Sequence, residues 1–206
     1  MITIVDYGMG NLGSIANMLK KIGVPSCITN DAGQIASAEK ILLPGVGAFD
    51  TAMSHIASQG LREVLDTKAL VEKVPVLGIC LGMQLLTRSS EEGQLPGLGW
   101  IPASTLAFMG RIDTMCFKVP HMGWNIVKKH TPSLLTEGFE TFYEMRFYFV
   151  HSYHVQCDNE SNSILRTTHG LTFDSAIQKD NIFGAQFHPE KSHKFGVKLL
   201  ENFARL

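Results

Sequence analysis

The run Val74-Pro-Val-Leu-Gly-Ile-Cys-Leu-Gly-Met-Gln84 decides how the rest of the chain reads. Val74, Val76, Leu77 and Ile79 form a short apolar segment that stops at Cys80, and Met83, Leu85 and Leu86 then continue in an amphipathic pattern. Strand, sharp turn and helix thus follow one another, with a single thiol at the turn. Gly78 and Gly82 stand two residues either side of that thiol. This is the logic of a nucleophile elbow, in which small flanking residues let a strained turn hold a side chain clear of the sheet. The start of a helix also offers free N–H groups and partial positive charge, surroundings that suit a reactive cysteine. A cysteine used only as a small buried apolar residue needs no glycines arranged around it.

The same alternation extends upstream. Residues 2–5 read as a strand, followed by Gly8-Met-Gly-Asn-Leu and a helical pattern in Leu12, Ile15, Ala16 and Leu19 that stops near Gly23. Residues 24–29 and 41–44 read as further strands, the latter apolar throughout, as in a sheet buried on both faces. Helical spacing returns in Phe49, Ala52, Met53 and Ile56 and again over residues 61–71. After about Gly93 the character changes. Segments 105–118 and 123–129 are short and β-like, residues 146–153, 163–166, 171–177 and 182–187 read as strands, and Lys179-Asp-Asn181 as a turn. Ser192 is placed to cap a last helix with apolar positions at Phe195, Leu199, Leu200 and Phe203. The expected fold is α/β: a helix-covered, mostly parallel central sheet with an antiparallel β-rich C-terminal extension, forming one domain over residues 1–206.

Composition narrows the class. The 206 residues are 45% hydrophobic and 18% charged with a net charge of −1, so no basic block points to nucleic acid or an anionic membrane. No run approaches the ~18 apolar residues of a membrane span, and the start Met-Ile-Thr-Ile-Val-Asp has no cationic leader pattern. Cys27, Cys80, Cys116 and Cys157 lie far apart without C-x-x-C spacing, which fits free thiols in a reducing cytoplasm.

Four further patterns bear on chemistry. Gly8-Met-Gly-Asn-Leu-Gly13 matches G-x-G-x-x-G after a strand, with Asp31 about where a ribose-binding acid falls. A dinucleotide site is therefore a rival to a plain strand-to-helix turn, and the bulky Tyr7 before the first glycine favours the turn. In Gln186-Phe-His-Pro-Glu190, His188 and Glu190 are two apart, so on an extended segment they share a face, and Pro189 works against a helix there. A carboxylate beside an imidazole holds its tautomer, so Cys80 as nucleophile, His188 as base and Glu190 as orienter make a complete set. Pro44-Gly-Val-Gly47 offers backbone N–H groups at Val46 and Gly47 that, with that of Leu81, can bind an oxyanion. The other histidines lack metal spacing: His151 and His154, three apart on one strand, are expected on opposite faces, and no metal or cofactor is expected.

Pro44-Gly-Val-Gly47, Gly78-Ile-Cys-Leu-Gly-Met-Gln84 and His188-Pro-Glu190 together resemble a class I (triad) glutamine amidotransferase domain, of flavodoxin-like fold, over nearly the whole chain. Asp6-Tyr-Gly-Met-Gly-Asn11, Pro120-His-Met-Gly-Trp-Asn125, Tyr148-Phe-Val-His-Ser-Tyr153 and His188-Pro-Glu-Lys-Ser192 narrow the resemblance to the glutaminase subunits of imidazole glycerol phosphate synthases. The resemblance implies hydrolysis of glutamine through a Cys80 thioester. Gln84 and Glu92 would contact the amino-acid end, with Gly47, Ser152 and Tyr153 lining the pocket through backbone groups. Ammonia would pass to a (β/α)₈-barrel synthase subunit that makes imidazole glycerol phosphate and an aminoimidazole carboxamide ribotide in histidine biosynthesis. Asn11, Met122, Trp124 and Lys191 would lie towards that partner. A related amidotransferase serving another synthase, such as a surface-sugar modifying enzyme, carries the same motifs.

Overall fold

Four runs, Ile2–Val5, Ile41–Gly45, Val76–Cys80 and Ile182–Ala185, are buried along their whole length. Having no polar face to give to water, they form the interior of a sheet covered on both sides. The computed structural model describes residues 1–206. Its first half runs β1 (Ile2–Val5), α1 (Leu12–Lys21), β2 (Ser26–Thr29), α2 (Ala32–Ala36), β3 (Ile41–Gly45), α3 (Phe49–Ser58), α4 (Leu61–Asp66), β4 (Val76–Cys80) and α5 (Leu81–Leu85). The second half runs β5 (Ala103–Ala107), β6 (His121–Lys129), β7 (Arg146–His151), β8 (Tyr153–Cys157), β9 (Ser163–His169), β10 (Leu171–Lys179), β11 (Ile182–Ala185) and α6 (His193–Arg205).

The sheet order is β2-β1-β3-β4-β11-β10-β9-β6-β7, with β8 pairing β10 and β5 to the side. β2, β1, β3, β4 and β11 are parallel neighbours, and every pairing from β11 outwards through β10, β9, β6 and β7 is antiparallel. This is the expected α/β architecture. Because β11 pairs directly with β4, its register brings Ala185 beside Ile79 and carries the chain to Gln186 and His188 next to the elbow. Alternate strand residues feed two separate cores: Ile2, Ile4, Leu42, Leu77 and Phe183 on one side, and Val5, Ile41, Leu43, Val76 and Ile182 on the other.

Three expectations need correction. The segment 146–153 is two strands, since the chain breaks at Ser152 between β7 and β8, which pair with different neighbours. Of residues 105–118 only the first three are strand. Beyond β5, the Arg111 and Ile112 N–H groups turn back on the Phe108 carbonyl and the Asp113 carboxylate takes the Met115 N–H, local bonds that replace a ladder. The helical stretch 61–71 holds, but its last part, Thr67–Val71, widens into a π turn. No helix is long and apolar enough to cross a membrane.

Candidate active site

Cys80 is the last residue of β4 and adopts φ 54°, ψ −110°, a conformation that a non-glycine residue reaches only under strain. The flanking glycines explain how the turn closes. A Cβ on Gly82 would lie 1.7 Å from the Leu43 carbonyl oxygen, and one on Gly78 would lie 2.5 Å from the Gly82 carbonyl oxygen. Both obstacles are backbone, so no rotamer change relieves them. The thiol is thereby pushed to the rim of a cavity of about 340 Å³. Its own contacts are long ones: Sγ lies 3.9 Å from the Val150 carbonyl and 3.7 Å from the Gln186 amide nitrogen.

His188 and Glu190 meet behind the thiol, Nδ1 to Oε1 at 2.8 Å, with both side chains almost wholly buried. They do not meet on an extended segment as expected. Pro189–Lys191 is a single 3₁₀ turn with Pro189 at its first position, where the ring presets φ and no N–H is needed. The turn is pinned from three sides: the His188 N–H donates to the Tyr148 carbonyl at 2.9 Å, the Ser192 hydroxyl donates to the His188 carbonyl at 2.6 Å, and Gly196 brings α6 against the Pro189 carbonyl. Ser192 precedes α6 as expected but makes no side-chain cap; its hydroxyl also accepts the Tyr148 N–H. Burial disfavours a charge on His188, yet the neighbouring Cys80 and Glu190 outweigh it and raise the imidazole to about 9.

Val46, Gly47, Leu81, Gln84, Glu92, Ser152 and Tyr153 all line the same cavity as Cys80, together with Pro120, Val150 and His151. Gly47 takes φ 121°, which its two neighbours in the loop do not need. Glu92 accepts the N–H of Phe49, the first residue of α3, at 3.1 Å. Burial raises its carboxyl despite that bond, and the adjacent Asp50 adds to the effect. Asp50 in turn takes the N–H groups of Gln94 and Leu95 and so ties the Glu92 segment to α3. A carboxylate and a thiol lining one cavity suit a small molecule with an ammonium group and an electrophilic carbon.

Two residues at this site escaped the sequence reading as participants. Gln186 is fully buried, and its amide both approaches Cys80 and accepts from Gln84 Nε2 at 3.1 Å. Tyr7 is buried under Gly45, and its hydroxyl has no hydrogen-bond partner; burial first, and the Cys80 charge second, keep it protonated. Gln186 opens the quoted His-Pro-Glu motif, so its place there was its signal. Tyr7 gave none beyond its bulk.

Met122 and Trp124 point outwards from β6 at 63% and 45% exposure, and Lys191 lies over the Tyr148 ring beside them. Trp124 stacks flat on His193 at 5.5 Å. Asn11 is exposed at the start of α1, where its side chain caps the Ser14 N–H at 3.3 Å. The glycine motif is a turn: Gly8 and Gly10 need positive φ, but a Cβ on Gly13 meets nothing within 4 Å. The third glycine of a dinucleotide site serves close helix–strand packing, which Gly13 does not. Asp31 caps α2 through the Gln34 N–H, so its carboxylate is already committed. His151 and His154 prove to be on different strands and both face Phe108, at 5.3 and 4.8 Å between ring centroids.

The model of the glutamine amidotransferase class-I family matches residues 3–206. The chain is 53% identical to imidazole glycerol phosphate synthase subunit HisH 2 of Methanococcus maripaludis, covering 100% of this chain and 99% of the relative. It is 48% identical to the subunit HisH of Bdellovibrio bacteriovorus, with 100% of both chains covered. Among solved structures, a glutamine amidotransferase superposes with a TM-score of 0.75 at 15% identity, covering 100% of this chain and 99% of that one. A chain of PurLQS from Thermotoga maritima superposes with a TM-score of 0.70 at 18% identity, covering 99% and 97%. At such identities these two likenesses speak for the fold alone.

Proposed function

Because the chain belongs to the class-I glutamine amidotransferase family, we propose that Cys80, His188 and Glu190 carry its glutaminase chemistry. Within the family it is a glutaminase of the imidazole glycerol phosphate synthase HisH type, working in histidine biosynthesis. The observation that carries the assignment of residues is the buried His188–Glu190 pair standing behind a strained, cavity-facing cysteine.

Glutamine enters with its ammonium towards Glu92 and its side-chain amide over Cys80. The thiolate adds to the amide carbon, and the developing oxyanion accepts from backbone N–H groups of the Val46–Gly47 loop and Leu81. His188, protonated at neutral pH because it is raised to about 9, gives its proton to the leaving nitrogen, and ammonia departs as the C–N bond breaks. Glu190 holds the imidazole in place and offsets its charge throughout. The neutral imidazole then takes a proton from water, which attacks the thioester; the S–C bond breaks, glutamate leaves, and the thiolate and imidazolium are restored.

Ammonia protonates in water, so its use as a nucleophile favours a dry passage to a second protein chain. The partner is a (β/α)₈-barrel synthase subunit in a heterodimer. It docks on the face that presents Met122, Trp124 and Lys191, with Asn11 contributing from α1. Exposed aromatic and aliphatic side chains gathered on one sheet face support that placement. The site works in the cytoplasm, where a catalytic thiol stays reduced.

The experiment is glutamate release by the purified chain, alone and with a histidine-pathway barrel carrying its nucleotide ligand. Strong stimulation by the loaded barrel is expected. Turnover that the barrel leaves unchanged would assign the protein to another synthase, and no turnover in either case would overturn the glutaminase reading.

A further inference from the structure

A continuous hydrogen-bonded chain runs from Asn125 on β6 to the wall of the cavity. Asn125 Nδ2 lies 3.0 Å from His121 Nε2, His121 Nδ1 lies 2.8 Å from His151 Nε2, and His151 Nδ1 lies 2.7 Å from the Tyr153 carbonyl oxygen. The Gln84 amide also donates to that carbonyl, at 3.4 Å, and to Gln186, whose own amide reaches the Cys80 sulfur. His121 and His151 are a cross-strand pair of β6 and β7 and are both buried.

The bonds fix the protons. A carbonyl oxygen only accepts, so His151 carries its hydrogen on Nδ1 and, if neutral, accepts at Nε2. His121 must then donate from Nδ1 and accept at Nε2. Asn125 supplies that donor, since its carboxamide oxygen is taken by the Ile126 N–H and its NH₂ also donates to the Thr168 carbonyl. Only one tautomer of each ring satisfies every bond. Both rings stay neutral: burial lowers His121 to about 4, helped by the neighbouring His169, and burial lowers His151 well below its usual value. Packing locks the planes as well, with His121 held between His169 at 4.2 Å and Phe149 at 4.8 Å and His151 set edge-on to Phe108. The rings do not form a metal site, because their nitrogens bond each other, the Asn125 amide or main-chain carbonyls and no group of three ligands converges.

Between His151 and Tyr153 stands only Ser152, the residue at which the strand breaks and one that lines the cavity with Tyr153. The His151 imidazole thus closes the bend on its own second neighbour, and the Phe108 N–H fixes it from the other side by donating to the Ser152 carbonyl at 3.1 Å. We propose that His121 and His151 are positioning residues of the glutaminase. They lock the Ser152–Tyr153 bend and, through the Tyr153 carbonyl, the Gln84 amide, so that the cavity is shaped for glutamine before it arrives. The inference rests on the glutaminase reading and extends it to two buried histidines, of which only His151 borders the cavity.

Two measurements test it in the full chain with its barrel partner. The first is glutamate release against glutamine concentration. His151→Leu and His121→Phe remove the donors and raise KM roughly five- to tenfold, the worth of about one hydrogen bond, while kcat stays within about threefold. His151→Asn sets an amide NH₂ where Nδ1 stood and keeps KM within about twofold of wild type. A folded His151→Leu with unchanged KM, or an Asn variant as impaired as Leu, overturns the proposal. Absence of turnover in the wild type instead overturns the glutaminase reading itself. The second needs no variant: ¹⁵N spectra of the ring nitrogens at neutral pH should show both histidines as neutral Nδ1–H tautomers. An Nε2–H tautomer or a charged ring at either position overturns the proposal.

Discussion

The elbow predicts a sharp contrast between two glycine-to-alanine changes. In Gly82→Ala the new methyl would stand 1.7 Å from the Leu43 carbonyl oxygen, against the roughly 3.3 Å at which carbon and oxygen ordinarily meet. About 1.6 Å must open between β3 and the start of α5. The obstacle is backbone inside a paired parallel sheet, where Leu43 is in register with Gly78 of the elbow strand, so β3 cannot yield without disturbing β4. The helix start must move instead, and it carries Leu81 and the attachment of Cys80. Misplacement of a reacting group by about 1 Å costs on the order of 100-fold in rate, and overpacking typically costs ~1–3 kcal/mol of stability. Gly13→Ala, by contrast, places its methyl in open space on α1, where alanine is favoured over glycine by up to about 1 kcal/mol. Steady-state glutamate release and urea unfolding of both variants are the assay. Gly82→Ala is expected to lose at least about 100-fold in kcat/KM, and Gly13→Ala to keep full activity with equal or higher stability. A folded Gly82→Ala with wild-type kcat/KM would refute the elbow as the device that presents the thiol.

Other outcomes follow from the same geometry. Glu190→Gln removes the charge that holds His188, so kcat should fall by roughly 10²- to 10⁴-fold with little change in KM, measurable in a glutamine titration. Glu92→Gln should do the reverse, raising KM about tenfold or more with kcat largely kept, because it withdraws the cavity carboxylate proposed to receive the substrate ammonium. Stability should peak near pH 6.5. His188 is raised to about 9 in the folded chain, so its contribution is complete below about 6.5 and is lost as pH rises towards 9. His121 is lowered to about 4, so its contribution is complete above about 6.5 and is lost as pH falls towards 4. Urea midpoints across pH 4–9 check both flanks, and Cys80→Ala should flatten the alkaline one by removing the neighbour that most favours the His188 imidazolium.

Much of this was legible in the residues. The parallel half announced itself through runs such as Ile41–Gly45 that have no polar face, and the elbow through two glycines that turn out to face backbone at close range. The antiparallel half was legible as antiparallel strands but not in its order. Where they pair depends on long-range register, so the break at Ser152, which sends β7 to β6 and β8 to β5, left no local mark. His188 and Glu190 do meet, but for a different local reason than the one expected: proline at the first position of a 3₁₀ turn starts that turn, although the same residue would break an established helix. The histidine chain was invisible because His121 and His151 are thirty positions apart and meet only through the β6–β7 register, while single-strand logic set His151 and His154 on opposite faces.

The most direct test of the central claim is to look for the covalent intermediate. The chain and its barrel partner are mixed with glutamine, quenched in acid within the first turnover, and digested for peptide mass analysis. The account predicts a γ-glutamyl mass increment on the peptide that contains Cys80, absent from Cys80→Ala and unaffected by the other three cysteines. Continued turnover in Cys80→Ala, or a glutamyl adduct on Cys27, Cys116 or Cys157 instead, would contradict it.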